Sequence, residues 1–312
     1  MNFAVFILKK LSITILVLLG IAFITFSLTK SLPGDPALSM VGERASPEAI
    51  ERIRKEIGAD RPFFEQYLNY IKLLLKGELG RSYATKKEVK EELLAKFPNT
   101  MKLALLAMLF AVPVGVGLGF WAALRRNTAF DTFISSATIL GISVPVFFSG
   151  LLLMLLISLK FKILPPSGTG GLRFMLLPAL TLSLPAIATL ARVSRTTVLD
   201  IVDMPFIKTA RAKGLREIKV NLIHILRNAL IPIVTVIGLD FGSYLNGAVL
   251  TETIFGWDGI GRFAVEGIMK RDYPVVMGTI LLGTIIFIFI NMLVDISYHA
   301  LDPRVRTDGS KG

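Results

Sequence analysis

Long apolar runs alternate with shorter charged segments along most of the chain. Cutting the sequence at its charged residues leaves six runs of 18 or more residues with at most one charge each, at positions 11–29, 103–124, 132–159, 174–191, 228–251 and 273–294. A helix needs about 20 apolar residues to cross a bilayer, and continuous runs are typical of helices rather than of alternating barrel strands. The pattern therefore predicts an all-α, polytopic membrane protein with six transmembrane helices.

The composition and charge agree with this class. The chain has 312 residues, of which 53% are hydrophobic, and its mean hydropathy is +0.64. The net charge of +12 resides in loops beside the apolar runs, where basic residues control topology, so nucleic-acid binding is not indicated. The sequence contains no cysteine, which excludes disulfides and thiolate metal sites.

The distribution of basic residues predicts the orientation. Segment 192–227 holds eight basic residues against three acidic ones, and the pairs at 9–10 and 125–126 fall on the same side of the membrane. Because cytoplasmic loops are enriched in Lys and Arg, this bias favours a cytoplasmic location for that side, which contains both termini. The bias is modest, since short loops on the other side carry Lys160, Lys162, Arg173, Lys270 and Arg271, and the orientation rests partly on the family resemblance given below. The first run is too long for a signal peptide and no A-x-A-like site follows it, so it is predicted to be an uncleaved span.

The loop after the first run is predicted to be structured. Ser46 and Pro47 have the residue types of a helix N-cap and first position, and Gly58 ends the helix that they begin. A second helix is predicted over 62–76, where aromatic and aliphatic residues recur at helical spacing. This second helix either packs at the membrane interface or contacts an external binding protein.

A basic segment between the fourth and fifth runs is predicted to be a helix–turn–helix. Helix-forming residues extend over 206–213, Gly214 breaks them, and a second helix with Val220, Ile223 and Leu226 on one face leads into the fifth run. Small residues between cations permit close approach and charge-assisted hydrogen bonds to a partner surface. The alternative is a solvated loop whose cations bind anionic lipid.

Five short motifs, in this order, resemble one family. They are LPGDPA at 32–37, TARAKGL at 209–215 followed by LRNALIP at 226–232, TETIFGWDGIGR at 251–262, RDYPVVMG at 271–278 and LVDISYHALDPRVR at 293–306. Together they resemble the permeases of binding-protein-dependent ABC importers, in the dipeptide, oligopeptide and nickel branch, and 205–232 resembles their "EAA" loop. Thr209 and Arg211 stand where broader permeases have an acidic residue and alanine, and Arg227 stands where many sugar permeases have proline, which favours the peptide-type branch.

The resemblance implies an ABC type I importer permease fold. Its divisions would be a first transmembrane helix over 1–31, an extracytoplasmic helical loop over 32–98, and a core over 99–312 with five transmembrane helices and a cytoplasmic coupling loop at about 194–228. The coupling helix of that loop would contact an ATPase through Phe206, Thr209, Ala210, Arg211, Ala212, Lys213 and Gly214.

The resemblance also implies function, partners and location. The chain would form, as a heterodimer with a second homologous permease, a pore for di- or oligopeptides in a bacterial or archaeal cytoplasmic membrane. Oligosaccharides and nickel chelates are the alternative solutes. Two ABC ATPases and an extracytoplasmic solute-binding protein would complete the complex. The chain has no G-x-x-x-x-G-K-[ST] phosphate loop, so ATP and Mg would bind to the partner ATPases and no cofactor to this chain. We therefore expect a transport subunit and not an enzyme.

Asp240 is the one formal charge inside the six runs. A charge there is costly, so it should face a partner or a wet cavity. It would either line a solute pathway with Ser243 and Asn246, or be a hydrogen-bonded carboxyl that ties helices together. The rival function is an ion-coupled secondary transporter with Asp240 as its carrier.

Other candidate features favour packing over chemistry. The G-x-x-x-G pairs at 115/119 and 238/242 predict close helix packing. His224 and His299 are single histidines without a partner at ligand spacing, so no metal site is predicted.

Overall fold

The structure, a computed structural model, describes residues 3–31, 36–41 and 45–301. The described residues form helices and no strand beyond an isolated bridge between Arg81 and Glu88. In chain order the helices are α1 (Phe3–Ser31), α2 (Pro36–Val41), α3 (Pro47–Glu56), α4 (Phe63–Leu75), α5 (Val89–Leu124), α6 (Ala129–Ser143), α7 (Val146–Leu153), α8 (Leu172–Val202), α9 (Pro205–Ala212), α10 (Glu217–Lys219), α11 (Arg227–Leu245), α12 (Val249–Ile254), α13 (Ile260–Met269) and α14 (Tyr273–Leu301). Two π-helical segments, Met154–Lys160 and Val220–Leu226, continue α7 and join α10 to α11.

Five described helical segments are long and apolar enough to cross a membrane: Ser12–Lys30, Val89–Leu124, Leu172–Val202, Glu217–Leu245 and Tyr273–Tyr298. The remaining predicted span, 132–159, is not one continuous helix, because Ala129–Ser143 and Val146–Lys160 meet at a bend of 100°. Taken together as one broken span, this pair completes the six predicted spans. The break falls at Val144, which is extended (φ −76°, ψ 123°) and precedes Pro145. A proline disfavours the α conformation of the residue before it, so the helix ends there.

Several helices continue well past the apolar runs. With a rise of about 1.5 Å per residue, the 36 residues of α5 extend roughly 54 Å, beyond the ~30 Å apolar core of a bilayer. The second transmembrane helix, α5, begins at Val89. The sequence predicts that its apolar run begins at 103 and that the preceding loop ends at 98. The fifth span ends at Leu245 rather than at 251, because the chain turns at Gly247 with a positive φ of 101°.

One compact unit comprises residues up to 100, 245–252 and 258–288. Within it, α4 packs against α1: Phe26 stacks on Tyr70 with ring centroids 5.6 Å apart, and Tyr67 donates a hydrogen bond to the Leu19 carbonyl at 3.4 Å. The helices predicted in this loop are confirmed, since Ser46 accepts the Ala49 N–H as the N-cap of α3 and α4 spans Phe63–Leu75. Packing is therefore what the aromatic face of α4 does in this unit.

The other compact unit comprises residues 101–244, 253–257 and those from 289. Its core joins α5, α8, α9 and α11. The predicted close packing of the glycine pairs is confirmed at three positions: a Cβ on Gly119 would lie 2.1 Å from the Ala191 carbonyl oxygen, one on Gly115 2.8 Å from Leu190 Cβ, and one on Gly238 2.0 Å from Val294.

Candidate functional site

The predicted coupling segment is a short helix packed onto the end of α8. Met204 is the extended N-cap of α9, and Pro205 takes the first helical position, where its fixed φ suits a helix and its missing N–H is not needed. Ile207 and Ala210, three residues apart, are buried with Val198 and Ile201 of α8. The burial of this apolar face holds α9 against the rest of its compact unit.

The opposite side of α9 is exposed. Lys208, Thr209 and Ala212 lie away from Ile207, and all three are exposed. Phe206 flanks this surface with 41% of its area accessible. Of the seven predicted coupling residues, Ala210 alone is buried, so it contributes packing rather than surface. Both alanines looked equivalent in the sequence, and only the position of α9 against α8 distinguishes them.

A tight turn ends α9 and brings its last cation to the next helix. Gly214 has a φ of +74°, a conformation that favours glycine, and a side chain added there would meet open space. The Arg211 guanidinium donates to both carboxylate oxygens of Glu217, at 3.0 and 3.4 Å. Arg211 is therefore part of an ion pair across the turn, whereas Lys213 is exposed.

The second helix of this segment continues without interruption into α11. The predicted face of Val220, Ile223 and Leu226 is wrong at Ile223, which is 46% exposed, while Val220 and Ile225 are fully buried. Val220 and Ile225 are five residues apart in the sequence. They lie on the same buried face because Val220–Leu226 is π-helical, and the π-helix has an i→i+5 repeat. Periodicity reasoning assumed the α-helical repeat and so chose the wrong face.

The three residues predicted to line a solute path do not all fall in one compact unit. Asp240 and Ser243 lie on α11 in the unit that contains the coupling segment, and Asn246 lies in the other unit. Asp240 is half-buried, and its Oδ2 has no hydrogen-bond partner among the described residues. Ser243 is exposed, and the Asn246 Oδ1 lies 2.2 Å from where a Cβ on Gly283 would be. Asp240 thus retains an acceptor that nothing in the described chain satisfies.

An ion pair between α6 and α8, with a buried carboxylate, was not found from the sequence. The Asp131 carboxylate is buried on α6 and accepts from the Arg195 guanidinium on α8 through both oxygens, with Arg195 Nη2 at 2.8 Å from Oδ2. The Asn127 N–H also donates to this carboxylate at 3.0 Å. Asp131 adjoins the start of an apolar run, which made it look like a loop residue.

Glu252 is a second group that sequence reasoning did not single out. Its side chain is fully buried; Oε1 accepts from the Thr100 hydroxyl at 2.8 Å and Oε2 from the Arg262 N–H at 2.9 Å. A Cβ on Gly259 would lie 2.4 Å from the carboxylate, so glycine permits this approach. Burial raises the pKa of the Glu252 carboxyl, and these hydrogen bonds lower it in part. An acid between Thr251 and Thr253 gave no sign of burial in the sequence.

The described residues contain no group of three or more His, Cys, Asp or Glu arranged to hold a metal ion. His224 lies in the π-helical segment, where its carbonyl accepts from Asn228 at 2.6 Å. The side chain of His299 lies outside the described side chains.

Comparison with known protein families decides what this arrangement belongs to. The family model described as "Binding-protein-dependent transport system inner membrane component" matches residues 115–307, which include the whole coupling segment. A companion model for the N-terminal part of such membrane components matches residues 3–104. The chain belongs to this family. It is therefore a multi-pass inner-membrane transport component of the peptide-permease type that its sequence motifs resemble.

Individual relatives cover almost the whole chain. It is 38% identical over 333 residues to the dipeptide transport system permease protein DppB of Escherichia coli (strain K12), with 96% of this chain and 98% of that protein covered. It is 39% identical over 330 residues to the di/tripeptide transport system permease protein DppB of Pseudomonas aeruginosa (strain UCBPP-PA14), with 96% and 98% covered. It is 42% identical over 310 residues to a putative peptide transport system permease protein of Brucella abortus (strain 2308), with 97% and 99% covered.

A solved structure shares the fold. A chain from the inward-facing MetNI methionine ABC transporter superposes with a TM-score of 0.59 at 16% identity, covering 67% of this chain and 96% of that one. This likeness shows the fold alone, which is the all-α type I importer permease fold expected from the sequence motifs.

Proposed function

We propose that this chain is one of two permease subunits of an ATP-driven importer for di- or oligopeptides. The observation that supports this most strongly is the near-complete alignment with three peptide or dipeptide transport permeases. In this assembly both termini are cytoplasmic, an extracytoplasmic binding protein delivers the solute, and two ATPases bind ATP and Mg. The chain itself binds no cofactor and catalyses no reaction. Family membership disfavours the ion-coupled carrier, which would have no need of α9 and its turn.

The outer surface of α9 is the proposed coupling site. Lys208, Thr209 and Ala212 form its exposed centre, Phe206, Arg211 and Lys213 its edges, and Ala210 and Gly214 support its position. Because Ile207 and Ala210 hold α9 on α8, a force on this surface is transmitted to a long helix rather than absorbed by a loose loop. That mechanical link is what an ATPase-driven pore requires.

The coupling proposal is tested by affinity capture of the full-length chain in mild detergent, with mass identification of the proteins that accompany it. We expect a second permease and ATPase subunits. In Ala212→Arg the ATPases should be lost while the second permease is retained, because the added side chain blocks close approach. Lys76→Glu, an exposed charge change at the end of α4, is the matched control. ATPase capture that is equal in both variants would remove α9 from the contact.

The solute pathway is a separate proposal and needs a separate test. We propose that Asp240, Ser243 and Asn246 meet polar groups of the passing solute, with the free Oδ2 of Asp240 available to its amine. Uptake of a labelled dipeptide into ATP-loaded membrane vesicles should fall in Asp240→Asn, with ATPase capture unchanged. Competition by unlabelled peptide, maltose or a nickel chelate identifies the solute class. Unchanged uptake by Asp240→Asn would assign this carboxyl to helix packing.

A further inference from the structure

A small polar cavity lies beside the end of the first transmembrane helix. Its volume is about 290 Å³, and it belongs wholly to the compact unit of α1, α4 and the first half of α14. Its walls come from the last turn of α1, the end of α3 and the loop that follows it, one face of α4, the loop between α4 and α5, and the start of α14. The polar residues of its lining are Thr29, Lys30, Glu56, Arg61, Gln66, Asn69, Tyr70, Tyr83 and Tyr273.

Tyr70 gives the strongest sign that the cavity is built for a ligand. The residue is 7% exposed, its ring stacks on Phe26, and its hydroxyl has no hydrogen-bond partner among the described residues. A buried hydroxyl without a partner loses its hydrogen bonds to water and makes none to the protein, which costs free energy. Such groups are therefore uncommon in proteins. Burial raises the pKa of Tyr70, which keeps the hydroxyl protonated and able to donate a hydrogen bond.

The cations of the cavity lining supply hydrogen-bond donors that suit an anionic group. Lys30 and Arg61 contribute two cations and Glu56 one carboxylate. Arg61 also pairs with Glu65 at 2.8 Å, with both side chains about half exposed, so its guanidinium has donors left over. Gln66 is occupied with the backbone, since its Nε2 donates to the Arg61 carbonyl at 2.6 Å and fixes the loop that carries the guanidinium.

The position of the cavity indicates where that anion comes from. Lys30 is the last residue of the apolar segment Ser12–Lys30. Within the most apolar 18-residue stretch of this segment, only 22% is buried inside the protein. Among the described side chains of α1, which begin at Ser12, Ala22, Thr25, Phe26 and Thr29 are buried, and most of the others are exposed. A cation and several aromatic residues at the end of a lipid-facing helix mark the headgroup level of a bilayer.

We propose that this cavity binds the phosphate of a phospholipid headgroup. The Tyr70 hydroxyl donates to one phosphate oxygen, and Lys30 and Arg61 supply charge-assisted hydrogen bonds to the others. The acyl chains lie along the exposed sides of α1. Such a lipid ties the end of the first span to the loop between α3 and α4, and this function is independent of the solute that the protein transports.

Native mass spectrometry of the full-length chain, titrated with dioleoylphosphatidylglycerol in a mild detergent, tests this proposal. Tyr70→Phe removes the hydroxyl and keeps the ring, and its lipid affinity should fall about tenfold or more, as expected for a hydrogen bond to a charged group. Tyr67→Phe is the matched control, because Tyr67 lies on the same helix and its hydroxyl donates weakly to the Leu19 carbonyl. We expect it to bind like the unmodified chain.

Two further arms distinguish a lipid from a free anion. Dioleoylglycerol, which has the acyl chains without the phosphate, should bind much more weakly than the phospholipid. Inorganic phosphate at millimolar concentration should not displace the bound lipid, and displacement would overturn the assignment to a lipid in favour of a soluble anion. Equal affinity of Tyr70→Phe, Tyr67→Phe and the unmodified chain, with all three eluting identically by size, would refute the site.

Discussion

Two segments that connect membrane helices, 203–219 and 246–262, are stabilised by different kinds of interaction. The first is fixed by apolar burial of Ile207 and Ala210, and its polar groups are exposed. The second is fixed by a buried carboxylate, Glu252, that accepts from Thr100 and Arg262 and fills the space left by Gly259. Apolar burial leaves one side of a helix free for a partner, whereas an inward network uses up its polar groups. The contrast supports the proposal that the first segment is a contact surface.

The largest effect is expected at Glu252. Glu252→Ala leaves the Thr100 hydroxyl and the Arg262 N–H without their acceptor and opens a void, which should cost about 4 kcal/mol of unfolding free energy. Glu266→Ala is the control, since Glu266 forms an exposed ion pair with Arg262 and should cost about 0.5 kcal/mol. The measurement is thermal unfolding of both purified variants in the same detergent. Equal losses would mean that the buried network is not what stabilises this segment.

A smaller loss is expected from the apolar segment. Ile207→Ala deletes a fully buried side chain from the cluster of α8 and α9 and should cost about 3 kcal/mol. The matched control is Ile218→Ala, because Ile218 is 67% exposed in the adjacent α10 and should cost under about 1 kcal/mol. Limited proteolysis within 203–219 should accelerate only in the first variant. Similar cleavage of both would contradict the anchoring role of Ile207.

Substitution of Gly214, in the turn after α9, should change the unfolding free energy through the backbone conformation alone. Gly214→Ala places a side chain in open space but at a φ of +74°, so a loss of about 1 kcal/mol would be pure conformational strain. Gly117→Ala also meets open space, but within α5 and without a positive φ, so it should be neutral or slightly stabilising. Thermal unfolding compares the two, and a neutral Gly214→Ala would show that the turn relaxes at no cost.

The smallest expected effect is a pH dependence of stability that arises from the buried Glu252 carboxyl and not from the apolar segment. Because burial raises the pKa of Glu252, the fold favours its protonated form, and this stabilisation is complete below its ordinary pKa of 4.5. It is lost as the pH rises through the raised pKa in the fold. Glu252→Gln can still accept from the Arg262 N–H and donate to the Thr100 hydroxyl, and its unfolding should not show this loss. The unfolding temperature of the unmodified chain should therefore fall relative to Glu252→Gln between pH 4.5 and neutrality, and parallel curves would contradict the assignment.

Membrane-spanning segments and local caps follow from the sequence. A span must be apolar over its whole length, so the runs at 11–29, 103–124, 174–191 and 273–294 lie within long helices. Ser46 and Gly214 are likewise local decisions, because a cap or a positive φ depends on the residue itself and its nearest neighbours. The five motifs together indicated the family, and the one that contains Thr209–Gly214 is built from such local signals.

Only the tertiary structure decided which of those residues are buried. Glu252 and Thr100 are 152 positions apart, and nothing near either one in the sequence announces that they meet. Ala210 and Ala212 have the same side chain, yet contact with α8 buries one and leaves the other exposed. The same holds for the π-helical repeat that buries Val220 and Ile225. Local sequence determines which conformation each segment can adopt. Burial depends on distant residues, because the hydrophobic effect acts between the surfaces that the fold brings together.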